Sequence, residues 1–121
     1  MTIPTDDDFA RANSLMAERD ANWDQMQTLA MLNLAKVAKL HHFALFPREL
    51  CSFAAVIFFD TDQDLAVAKI NGFAKVAENC IRSAVAKFRA GQCADIAIAI
   101  ELDSYDNVRR NFGGNYVNRL R

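Results

Sequence analysis

Two short runs of acids are the residues of this sequence whose types and spacing best suit chemistry. Asp60, Asp62 and Asp64 alternate directly behind the apolar stretch Phe53–Phe59, while Glu101, Asp103 and Asp106 come at and just beyond the end of a second stretch, 94–102. If the two stretches are neighbouring parallel strands, Asp60, Asp62, Glu101 and Asp103 converge at their carboxyl ends, where open α/β sheets bind ligands. Hard oxygen ligands grouped in that way suit Mg²⁺ and phosphate chemistry. Helix capping is the simpler expectation: Thr61 or Asp62 starts one helix, Asp103 or Ser104 starts the next, and each acid meets a helix dipole. Capping at strand–helix junctions is common and metal sites are rare. Capping is therefore the leading expectation, with no cofactor; a divalent-metal enzyme acting on phosphate groups through these acids is the alternative.

Sharper motifs fail on their spacing. Alternating aspartates resemble the start of a calcium loop, but an EF-hand needs Gly next and Glu at the twelfth position, where this chain has Leu65 and Asn71. The run "VIFFDTDQDL" is similar to the first motif of haloacid-dehalogenase-like phosphatases, in which the first Asp attacks phosphorus and the second works beside Mg²⁺. Gln63-Asp64 replaces the Gly-Thr that normally follows, and 121 residues are too few for that fold's other motifs. His41 and His42 point about 100° apart on a helix and make no two-ligand pair, which prefers an i, i+4 spacing. "NFGGN" lacks the spacing of a phosphate loop. Cys51, Cys80 and Cys93 form no ligand-like pattern and are expected as free thiols in a reducing compartment.

The segment after Ser104 mixes cations with aromatics. Arg109, Arg110, Arg119 and Arg121 share it with Tyr105, Phe112, Tyr116 and asparagines at 111, 115 and 118. Such residues carry interface energy in protein contacts and stack on bases in nucleic-acid sites. A formal net charge of −1 makes the chain a poor counterion-release binder, so an acidic protein partner is favoured over nucleic acid. The simpler expectation is a solvated terminus whose arginines pair with acids of the same domain.

The elements that must position these residues follow from apolar spacing. At 121 residues, 52% hydrophobic and 24% charged, the chain reads as one domain able to bury a core. The acidic N-terminus lacks signal-peptide character, and the longest apolar run is far short of the ~20 residues that span a bilayer. A cytoplasmic protein with no membrane contact is expected. Helical spacing predicts one long helix or a helix pair over residues 6–43, ended by Phe46-Pro47, and a helix over 62–90. Asn71-Gly72 interrupts the second helix and by itself signals a hairpin turn, the alternative being a short strand at 65–70 with a helix from 72.

"CSFAAVIFF" reads as a strand at 52–59 buried on both faces, and 94–102 as a second strand. Ser104 or Asp103 starts a short C-terminal helix, and 115–120 suits an edge strand. The fold expected is α/β or α+β: a small two-layer domain with β-α-β after the N-terminal helices. Its core should hold Trp23, Val56, Ile57, Phe58, Ile70, Phe73, Ile81, Phe88, Ile96 and Ile98. A strand apolar on both faces exceeds the cover that so small a sheet offers, so a homodimer is expected. The function expected is that of a non-enzymatic accessory protein acting by contact through Tyr105, Arg109, Arg110, Phe112, Tyr116, Arg119 and Arg121.

Overall fold

The computed structural model of the chain describes residues 22–89 and 91–120. It is a small mixed α/β domain. Residues 22–35 form helix α1, followed by β1 (His42–Glu49), β2 (Ser52–Phe59), α2 (Asp62–Ile70), α3 (Phe73–Arg89), β3 (Ala97–Ser104), α4 (Tyr105–Phe112) and α5 (Tyr116–Leu120). The sheet runs in the order β1-β2-β3, with β1 antiparallel and β3 parallel to β2. The two sequence-expected strands are thus parallel neighbours, joined by a helical crossover.

Period-2 alternation sorts the strand residues onto two faces. Phe43, Leu45, Phe53, Ala55, Ile57, Phe59 and Ile98 point to one face, where they pack with Met26, Ala30 and Leu34 of α1 and with Phe73, Ala77, Ile81, Ala84 and Val85 of α3. Val56 and Phe58 point to the other, under Val108 of α4 and the partly buried Tyr105, Phe112, Tyr116 and Leu120. The double burial read from "CSFAAVIFF" is therefore met inside one chain: the C-terminal helices cover the second face that suggested a dimer.

Four expectations need correction. The first helix ends at residue 35 instead of 43, and residues 42–49, where no strand was expected, form β1. His42-Phe43-Ala44-Leu45 alternates with period 2, and Pro47 is tolerated because β1 is an outer strand, with a register shift between Pro47 and Glu49. The part of the expected helix before residue 22 lies outside the described residues.

The expected helix 62–90 is two helices. Residues 65–70 are helical, but Gly72 takes φ +71°, a left-handed conformation in which glycine alone is unstrained, and the chain turns there. The turn breaks the common phase, so Ile70, expected in the core, is 84% exposed. The residues expected as an edge strand at 115–120 are helix α5, started by the Asn115 side chain, which accepts from the Asn118 N–H at 3.2 Å. Finally, Cys51 and Cys93 are joined in a disulfide, with Cα atoms 5.6 Å apart, and only Cys80 is free among the three. The free-thiol argument for a reducing compartment loses two of its cysteines. Among the described residues no helix is long and apolar enough to cross a membrane.

Candidate functional site

The carboxyl ends of β2 and β3 meet because the two strands are parallel neighbours, and Asp62, Glu101 and Asp103 are bound there by the chain's own donors. Ser104 ends β3 and caps α4: its Oγ accepts from the Asn107 N–H at 3.1 Å and donates to Asp62 Oδ1 at 2.5 Å. Asp62 Oδ2 accepts from Arg110 Nη1 at 2.8 Å. The Arg110 guanidinium, with the Ser104 hydroxyl, holds the Asp62 carboxyl below the usual carboxylate range. Asp106 accepts from the Asp62 N–H at 3.0 Å and from Arg109 Nη2 at 3.0 Å. The start of α2 and the start of α4 are stitched together by these bonds. Thr61 caps α2, accepting from the Asp64 N–H at 3.1 Å.

Asp103 is buried. Its carboxylate accepts from its neighbour's N–H, from Asn107 Nδ2 and from Arg119 Nε, the last at 2.5 Å. Arg119 also reaches Glu101 at 2.6 Å, and its guanidinium carbon lies 5.8 Å from the centre of the Phe58 ring. Asp60 stands apart with Lys39 at 3.8 Å, a solvated pair of little energetic weight. Among the described residues no three His, Cys, Asp or Glu side chains are grouped as a metal site. Asp62, Glu101 and Asp103 each have an arginine partner instead.

The aromatic residues of the C-terminal segment face inward. Tyr105 stacks on His41 with ring centres 4.2 Å apart, and Tyr116 lies 4.2 Å from His42 and 4.8 Å from Phe58. The Tyr116 hydroxyl contacts His41 Nδ1. Burial, together with Tyr105, Asp60 and Asp103, pushes the Tyr116 phenol up to about 12, so it stays protonated. Burial and the neighbouring His41 push His42 down, so its neutral form is favoured. Phe112 packs against the cluster formed by Val56, Phe58 and Val108. Of the segment's arginines, Arg119 is largely buried, whereas Arg109 and Arg110 keep 67% and 58% of their side chains exposed. Arg121 lies outside the described residues.

One concavity was not foreseen. A groove of about 620 Å³ opens between α2, α3 and the segment after α1, lined by Val37, Phe59, Val67, Ala68, Phe73 and Val76, with Lys39 and Asp64 at its polar positions. Val37 and Val67 fall on apolar helical stripes in the sequence. Both are half exposed, Val67 on α2 and Val37 in the turn after α1. Comparison with protein-family models, with curated proteins and with solved structures finds no match to this chain.

Proposed function

We propose that this chain is a small non-enzymatic binding or regulatory protein that works by protein–protein contact, with the C-terminal helix pair in its partner surface. The outward arginine pair of α4 is the observation that supports this reading. Arg109 and Arg110 sit one after the other on a helix anchored by the buried Val108, and each is steadied by one carboxylate, Asp106 or Asp62. A guanidinium has five N–H donors, so both keep donors for a second acceptor. Side chains already held in place lose less entropy on binding. Tyr105, Phe112 and Tyr116 support this face from beneath, leaving polar contact to the arginines and to the exposed Asn111.

An acidic protein face is the matching partner. The metal–phosphate alternative ranks lower because Asp62, Glu101 and Asp103 would each have to give up an arginine.

Affinity capture from the native cell tests the reading, comparing the unaltered chain with Arg109→Ala/Arg110→Ala. Removing the C-terminal helices is unsuitable, since it would uncover Val56 and Phe58. The double variant should melt cooperatively yet lose its partner. Equal recovery by both proteins would refute the proposal. A nucleic-acid partner would be recognised by affinity that collapses as salt rises.

A further inference from the structure

Helix α5 has five residues and is seated on the sheet by few side chains. It follows Gly113 and Gly114, both left-handed at φ +61° and +77°, where the chain turns before Tyr116. Tyr116 enters the space beside two adjacent histidines. His41 contacts its hydroxyl, the His42 ring centre lies 4.2 Å from its own, and the buried Phe58 closes the back at 4.8 Å. Arg119, paired with Asp103 and Glu101, is the second hold.

His41 is exposed, whereas His42 is half-buried, and α5 makes part of that difference. His42 is the cross-strand partner of Phe58. On one flank it lines an open groove of about 330 Å³ with Gln27, Thr28, Met31 and Leu32 of α1, none of them charged. On the other flank Tyr116 covers the ring. The remaining ionisable groups around the pair are Tyr105 of α4, stacked on His41, Asp60 after β2, and Asp103 and Glu101 of β3. None of these carboxylates pairs with an imidazole: Asp60 is shared with Lys39, and Asp103 and Glu101 with Arg119. A proton on His42 thus gains no bonded counter-ion, and burial and His41 both oppose it.

We propose that Tyr116 and the two histidines form an acid-released latch: α5 stays on the sheet while His42 is neutral, and proton uptake by His42 lifts Tyr116 away and uncovers Phe58. Once Tyr116 leaves, water reaches both flanks of His42, which regains an ordinary affinity for the proton, so acid favours the released form. That affinity bounds the effect. With an ordinary value of 6.5, a fall from pH 8 to pH 5 raises the ratio of released to seated α5 by at most ~30-fold. The ion pairs of Arg119 oppose release and keep the helix seated at neutral pH. This inference does not rest on the contact reading, because it uses neither Arg109 nor Arg110.

Amide hydrogen exchange of the full chain, followed by NMR at several low urea concentrations, tests it. A five-residue helix does not persist off the sheet, so the Asn118 and Arg119 amides, both bonded to Asn115, report its release. The amides of Ala77, Ile81 and Val85 report on the buried face of α3. Between pH 8 and pH 5, exchange at Asn118 and Arg119, corrected for the intrinsic rate, should speed up by as much as ~30-fold and depend little on urea. The α3 amides should exchange far more slowly, through an opening that urea promotes strongly. His42→Phe and His42→Gln, which take up no proton in this range, should hold the α5 amides at their pH 8 level down to pH 5. α5 amides that open only together with α3 would overturn the latch. So would the absence of a rise toward pH 5, or a rise that both variants keep.

Discussion

Breaking the Cys51–Cys93 bond should remove about 4 kcal/mol of stability. The bond joins the turn before β2 to the loop before β3, across a sequence separation of 42. Closing a loop of that length lowers the entropy of the unfolded chain by about 13 cal/mol/K, which is ~4 kcal/mol at 25 °C. That is a large share of the roughly 6–18 kcal/mol expected for a domain of this size. The place of the bond matters as well as its loop. β2 and β3 are a parallel pair with a long crossover, and the disulfide ties them where both strands begin, beside the Ala97–Cys51 backbone bond. Ser104 and Asp62 tie them where both end. Urea unfolding followed by far-UV circular dichroism, with and without a thiol reductant, measures the effect. At about 2 kcal/mol per molar urea, the midpoint should fall by roughly 2 M on reduction. Cys51→Ala/Cys93→Ala should reproduce the reduced curve. A difference below about 1 kcal/mol would refute the reasoning, since the constraint on the unfolded chain is set by loop length alone.

Acidification should weaken the domain through His42. Its folded pKa lies below the ordinary 6.5, so the unfolded chain binds more protons as pH falls; stability is full above 6.5 and is lost as pH drops from there toward the folded value. Urea midpoints from pH 8 to pH 5 should show this slope, and His42→Phe should flatten it, with His41, Tyr116 and Phe58 unchanged around the site. Arg119→Ala should cost about 3 kcal/mol, because it leaves the buried Asp103 carboxylate without its cation, and Asp103→Asn/Arg119→Met should recover part of that loss in the same unfolding assay.

Much of this fold is legible in local patterns. "CSFAAVIFF" predicts a strand buried on both faces, and β2 is one. Capping chemistry predicts helix starts at Thr61 or Asp62 and at Asp103 or Ser104, and it is the Thr61 and Ser104 side chains that accept the expected N–H. What the pattern hides depends on contacts between distant residues. His42–Glu49 becomes a strand by pairing with β2, and a proline usually read as a helix stop is absorbed by an outer strand. Ile70 shares a helical phase with α3, yet one left-handed glycine moves it to the surface. The cysteine pairing needs the parallel register of β2 and β3, which brings together two loops far apart in sequence.

The candidate site divides in the same way. Arginines beside aromatics mark the C-terminal segment, but only the packing tells which of them face the sheet and which face solvent. Tyr105, Phe112, Tyr116 and Arg119 turn inward, and Arg109 and Arg110 turn outward.

The cover that α4 and α5 give to β2 also has a consequence for synthesis. Translation completes the β1–β2 hairpin well before it delivers those helices. At about 5–20 residues per second, the Val56–Phe58 face waits several seconds for its roof. During that interval the nascent chain presents a half-covered apolar strand, with the crossover and β3 still to come. Holdases that recognise short apolar strands should therefore bind ribosome-attached chains stalled before Tyr105, and should no longer bind the released chain once α4 and α5 have folded over β2.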